Sequence, residues 1–287
     1  MINKKYKGIL YIIISAFCFA LMNLFVRMAG EIPSIQKSFF RNLVAAVFAC
    51  VILVKGKTEF RCRKENLKYL LLRSIFGTIG ILCNFYAVDH LVLADASMLN
   101  KMSPFFAVFF SYLILKEKVT FLQALIVAGA FAGSMFVVKP TFANMNLIPS
   151  VIGLSGGIAA GAAYTMVRKL GMRGEKGPFI VFFFSSFSCA VTLPWLIFDY
   201  YPMSMGQIGI LLLAGLAAAG GQFSITAAYS HAPAREISVY DYSQILFSAV
   251  LGFVVFGQIP DVFSWIGYLV IGIMAVSMFL YTRHQTV

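Results

Sequence analysis

Ten apolar stretches, joined by connections too short to hold a folded domain, take up nearly all of this chain, at roughly 7–28, 34–54, 68–88, 93–115, 119–138, 148–168, 178–198, 206–230, 237–257 and 260–282. A bilayer core about 30 Å thick takes about 20 helical residues to cross. Lipid offers no partner for a bare amide, so each stretch must be a helix that satisfies its own backbone. The sequence therefore reads as an all-α integral membrane protein with ten transmembrane helices. Only 12% of its residues are charged, about half the share usual in soluble domains. The apolar run over 9–26 follows a basic start but is longer than a signal-peptide core and has no small-residue cleavage site, so it reads as a retained first helix.

The excess of 23 Lys and Arg over 11 Asp and Glu would suggest nucleic acid in a soluble chain. Here the bases sit in alternate loops instead. Lys4, Lys5 and Lys7 precede the first span, and Lys55, Lys57, Arg61, Arg63 and Lys64 follow the second. Lys116 and Lys118, then Lys169, Arg173 and Lys176, and finally Arg283 continue the series, whereas the other loops hold Glu31, Asp89, Asp199 and Asp261. By the positive-inside rule both termini are cytoplasmic and the protein sits in the cell (cytoplasmic) membrane. No nucleic-acid partner is expected.

An internal repeat organises the ten spans. Residues 23–30 (NLFVRMAG) match 164–171 (YTMVRKLG) at an offset of 141, and the same offset aligns 115–119 with 256–260. Ser134-Met135-Phe136 recurs as Ser277-Met278-Phe279. The halves are 1–140 and 145–287. Five spans apiece is an odd number, so the halves must lie in opposite orientations, the inverted-repeat plan of secondary transporters with a substrate site near the midplane.

Phe39-Phe40-Arg41-Asn42 early in the second span, Tyr86-Ala87, Ser103-Pro104, Glu117, and Gly129 with Gly133 together resemble the EamA branch of the drug/metabolite transporter superfamily. The likeness runs over nearly the whole chain and is closer in the first half. It implies ten helices, cytoplasmic ends, an arginine at position 41 of the second helix, and movement of small metabolites, often amino-acid-related and often outward. The second half departs from the pattern, with Gln258 where Glu117 would recur and Ile245 where Pro104 would.

Lys101 lies about 12 Å into its span, shares a face with Ser97 and Pro104, and stands beside a proline expected to kink the helix. Arg41 is about 20 Å from the nearest basic loop. A charge at such depth faces a partner, a cavity or a ligand. In the ninth span Asp241, Gln244 and Ser248 follow helical spacing, and Asp241 stands at the repeat position of Asn100. Arg41 or Lys101 binding a carboxylate while Asp241 binds an ammonium describes a zwitterionic, amino-acid-like substrate. Direct pairing of Asp241 with one of the two bases is the competing account.

Asn23 and its repeat mate Tyr164, with Asn84, Asn100, Gln222, Thr226 and Tyr229, offer further polar wall positions, and Tyr240, Tyr242, Phe19 and Phe105 offer aromatic ones. Pro104 is the expected hinge. The Gly129/Gly133, Gly153/Gly157 and Gly157/Gly161 pairs allow close helix approach.

Catalytic and nucleotide-binding motifs are missing, the three histidines are isolated, and the five cysteines show no ligand spacing. No enzyme activity, cofactor or metal is expected. The function read from the residues is a secondary transporter of small polar metabolites, working by alternating access as an exporter, with proton exchange as one option for coupling. Uptake or exchange of a nucleoside-like or S-adenosylmethionine-like solute is the alternative within the class. A non-transporting scaffold or receptor is the alternative outside it, and whether Arg41, Lys101 and Asp241 converge on open space discriminates them.

Overall fold

The computed structural model describes residues 4–57, 61–91, 93–139, 147–257 and 259–284, and among them it is helical throughout, without a strand. The helices are α1 (Lys4–Met28), α2 (Ser34–Lys55), α3 (Lys64–His90), α4 (Leu93–Asn100), α5 (Ser103–Leu115), α6 (Phe121–Val138), α7 (Leu147–Met172), α8 (Gly177–Phe198) and α9 (Met205–His231). After them come α10 (Ala234–Ile237), a 3-10 turn (Ser238–Tyr242), α11 (Ser243–Phe256) and α12 (Val262–His284). Ten segments are long and apolar enough to cross a bilayer. Eight are single helices, while the fourth is α4 with α5 and the ninth is α10, the 3-10 turn and α11.

Local chemistry sets the ends. Thr120 with Gln123 opens α6 and Ser204 with Gln207 opens α9, each as a reciprocal capping box that satisfies two free backbone donors. Span four closes on Lys116 at φ +57° and span nine on Gly257 at φ +64°, the same left-handed stop at equivalent places of the repeat.

The halves interleave rather than sit side by side. α1 packs along α9, and its repeat mate α7 packs along α3; α5 lies on α7, and α11 on α1. Two further pairs, α2 with α8 and α6 with α12, are each made of a helix and its own mate. Exchanging the halves maps this arrangement onto itself, as an inverted repeat requires. Beyond α6, Lys139 pairs with Asp261. That ammonium, with the backbone and hydroxyl of Ser264, holds the Asp261 carboxyl down at about 2, so the clasp stays ionised at ordinary pH.

Close approach is possible because glycines remove side chains at the crossings. A Cβ on Gly157 would stand 2.5 Å from the Leu99 carbonyl oxygen, and one on Gly161 would stand 2.6 Å from Phe106 Cβ and 2.8 Å from the Ala107 nitrogen. The glycine stripe of α7 thus seats both pieces of the fourth span, and Gly133 seats α12 on α6. These contacts all lie within one chain.

Gly157→Val should therefore lower the melting temperature of the detergent-solubilised protein by an amount corresponding to about 1–3 kcal/mol, the usual cost of overpacking. Gly209→Ala, whose Cβ meets nothing within 4 Å, should leave it unchanged or raise it slightly.

Candidate functional site

Both composite spans break at the same depth. α4 ends at Asn100, Lys101 and Met102 form a turn held by Lys101 N–H to Ser97 O (3.0 Å) and Met102 N–H to Leu99 O (3.2 Å), and α5 starts afresh at Ser103. The expected continuous helix over 93–115 with a kink at Pro104 is corrected: Pro104 lies in the first turn of α5, where its missing N–H is no loss. The expected continuous helix over 237–257 is likewise interrupted by the 3-10 turn.

A broken helix frees carbonyls that lipid cannot satisfy, and here each span serves the other. The Tyr242 hydroxyl donates to the Lys101 carbonyl at 3.0 Å. Lys101 Nζ in return lies 3.4 Å from the Asp241 carbonyl, 3.4 Å from Asp241 Oδ2 and 2.7 Å from Gln244 Oε1. The two charged side chains are only 11% and 7% exposed. Of the two bases considered as partner for Asp241, Lys101 is the one that makes the contact.

Beside this crossing is a cavity of about 740 Å³. Lys101, Asp241, Asn100 and Gln244 line it at the crossing, and Arg41, Asn23, Tyr164 and Gln222 line it from α2, α1, α7 and α9. Ser97, Ser248, Asn84 and Phe19 also face it. Tyr240 does not. The tight 3-10 winding turns Asp241 to the cavity and packs the Tyr240 ring into the core, its hydroxyl left without a partner. Pro104, Thr226, Tyr229 and Phe105 lie outside the lining, and Tyr242 serves the crossing itself. Gln258 falls outside the described residues, as do the side chains of Asp89 and Asp95. All five cysteines are free.

Arg41 places its guanidinium 5.9 Å from the Phe19 ring and leaves Nε unpartnered. A second arginine, missed from the sequence, shares this wall. Arg73 on α3 is 2% exposed, stacks at 4.0 Å on Phe184 and donates weakly through Nη2 to Gln222 Oε1 at 3.4 Å. Its Nε and Nη1 have no partner. Gly77 makes room for it, since a Cβ there would come within 2.1 Å of Nη1. The depth argument used for Arg41 would have found Arg73 too, because it lies nine residues beyond the start of α3 at Lys64, about 14 Å along the helix.

The cavity is open toward one face and shut toward the other. Arg27, Gly30, Ser34, Lys37 and Phe256, at the end of α1, the start of α2 and the end of α11, line its mouth on the face remote from the start of α1 and the end of α12. Toward the terminal face the Tyr164 and Tyr229 rings stack at 5.1 Å, and Ile12, Leu70, Leu170, Ile180, Ile225 and Ile237 fill the space. At that face Arg168 Nε donates to Glu117 Oε1 at 3.0 Å, while Nη1 reaches the Tyr229 and Ser230 carbonyls at 3.5 and 3.4 Å.

Comparison with known proteins agrees with this architecture. The model of the EamA-like transporter family matches twice, over residues 6–139 and 148–281. Among curated relatives, the pseudopaline exporter CntI of Pseudomonas aeruginosa is 29% identical over 94% of this chain and 95% of its own. The riboflavin transporter of Brucella anthropi is 26% identical over 87% and 90%, and mouse solute carrier family 35 member G1 is 25% identical over 88% and 73%. A solved crystal structure superposes with a TM-score of 0.84 at 12% identity, covering 97% of this chain and 98% of the other, which is agreement in fold. The chain belongs to the EamA-like transporter family and is a multi-pass membrane transporter, not an enzyme.

Proposed function

We propose that the protein is a secondary transporter that exports small, carboxylate-bearing polar metabolites across the cell membrane by alternating access. One observation carries the reading: a cavity walled by Arg41, Arg73, Lys101 and several amides reaches the midplane, opens to one face and is closed to the other. A scaffold has no use for partnerless guanidinium donors beside open space. With both termini cytoplasmic, as the basic loops argue, the mouth faces outward and the protein rests in its releasing conformation. The exporter named among the relatives supports that direction.

The terminal-face seal is then the cytoplasmic gate. Glu117 and Arg168 are partly buried, their side chains 12% and 15% exposed, and Glu117 Oε2 has no partner. Loss of either charge would weaken the pair and loosen the gate. The Lys101 and Asp241 pair holds the two broken spans together on the cavity wall.

Reconstituted into proteoliposomes, the protein should exchange at least one member of a mixed pool of amino acids and organic acids in counterflow, well above empty liposomes. No exchange of any solute would refute transport under this reading. Glu117→Gln should loosen the seal by about 1.5–3 kcal/mol, the worth of a charged hydrogen bond. The check is labelling of a cysteine placed at Thr226 by a charged maleimide from the terminal face, which should quicken tenfold or more.

Removing one member of the midplane pair, by Lys101→Ala or Asp241→Asn, should destabilise the protein by about 3 kcal/mol, because the remaining charge is left buried. The swap Lys101→Asp with Asp241→Lys should recover most of the melting temperature but not counterflow. Full recovery of counterflow would remove both residues from the substrate contacts.

A further inference from the structure

Resting on the transporter reading, we propose that Arg41 and Arg73 form a two-guanidinium subsite, so the cargo carries at least two negative charges of the oxyacid kind and is not a simple zwitterion. The charge balance of the deep cavity leads there. Arg27 and Lys37 stand at its mouth, and the ionic residues deeper in its lining are Arg41, Arg73, Lys101 and Asp241. Lys101 and Asp241 already face each other at 3.4 Å, so they cancel. Two guanidiniums remain, and neither has a carboxylate partner among the described residues.

Both stand over the same stretch of α9: Arg41 lies 5.9 Å from the Phe19 ring, which rests on Gly221, and Arg73 reaches the neighbouring Gln222 at 3.4 Å. Each is desolvated by its surroundings, and holding two like charges together in such a place is unfavourable without a counter-charge. A monoanion neutralises one of them and a zwitterion adds no net charge. A ligand with two carboxylates, or a phosphate monoester, neutralises both, and guanidinium groups match the geometry of either.

Packing alone does not account for Arg73. Its Nε and Nη1 donors are unpartnered although the residue is 2% exposed, and its local environment is shaped around it by Gly77 and Phe184. α3 and its mate α9 are both 27 residues long, and the repeat offset places Ala214 where Arg73 would recur. The inverted copy of the helix thus folds without an arginine there, so the fold itself does not need one. The donors point to something that comes and goes.

The test is binding, kept separate from transport. Melting of the purified protein in detergent is followed at pH 8 and constant ionic strength against succinate, citrate, inorganic phosphate, acetate and glycine. Succinate or citrate should bind at least tenfold more tightly than acetate or glycine, and Arg41→Lys and Arg73→Lys should each remove most of that preference. Lys176→Gln, an exposed residue at the terminal face, should not. Inorganic phosphate exceeding the dicarboxylates would keep the subsite and assign it to a phosphate monoester.

Equal binding of acetate, glycine and succinate, or lysine variants that retain the preference, would overturn the proposal. Should the lysine variants misfold, phenylglyoxal modification of Arg73 in the unaltered protein supplies the answer. Succinate should slow it at least fivefold where glycine does not, and no protection by any dianion counts against the subsite. Counterflow of some metabolite without binding of any dianion sinks this inference and leaves the transporter intact. Dianion binding without counterflow does the reverse.

Discussion

A transmembrane helix can be interrupted only where something other than water satisfies the freed backbone, and in this protein the two interruptions satisfy each other. The Lys101 carbonyl is taken by the Tyr242 hydroxyl, and the Asp241 carbonyl by the Lys101 ammonium. Each break thus gives part of its backbone hydrogen bonding to the other. Their meeting point also fixes where the cavity lies, because a turn and a 3-10 segment present backbone and short polar side chains that a continuous α-helix would keep to itself. The cavity and the weakest backbone are therefore the same place. The glycine stripe of α7, pressed on Leu99, Phe106 and Ala107, holds one of those breaks in position.

The fold is nearly symmetric and its electrostatics are not. Arg27 and Arg168 occupy equivalent places, yet Arg168 closes on Glu117 whereas Arg27 lies 4.7 Å over the Phe256 ring at the cavity mouth. Lys101 has Tyr242 as its counterpart, and Asp241 has Asn100. The deep arginines, Arg41 and Arg73, both come from the first half. Symmetry thus supplies two equivalent ways of sealing the bundle, and the charge pattern makes one seal an ion pair and leaves the other face open, which biases the resting state and gives the cavity its sign.

The ten spans and the repeat were legible in the sequence because bilayer thickness acts on it residue by residue. Most of the polar positions singled out line the cavity for the related reason that polar groups in apolar runs need somewhere to go, whereas Thr226, Tyr229 and Tyr240 lie outside it. The failures are local. Tyr240 follows Asp241's neighbourhood only if the segment is α-helical, and a 3-10 turn points it into the core. The break in the fourth span was credited to Pro104, but the ninth breaks at the equivalent depth with Ile245 in that position, so packing at the crossing sets the break and the proline merely tolerates it. Arg73 drew no reading from the sequence, although its distance along α3 from Lys64 is the same kind of signal as the depth of Arg41.

Interleaving also bears on how the cavity could change sides. The most extensive contacts, α1 on α9 and α3 on α7, join one half to the other, so rocking the sequence halves 1–140 and 145–287 as rigid bodies would shear the best-packed surfaces, and packed interiors resist that strongly. Motion confined to the pieces of the two broken spans, α4 with α5 and the 3-10 turn with α11, would leave those surfaces whole. It would require the hydrogen bonds at the crossing, the pair of Glu117 with Arg168 and the seats of α5 on α7 and α11 on α1 to be remade. A ligand that engages Arg41 and Arg73 on the fixed α2 and α3, and Asp241 or Gln244 on a moving span, would join the two sets of helices through its own charges.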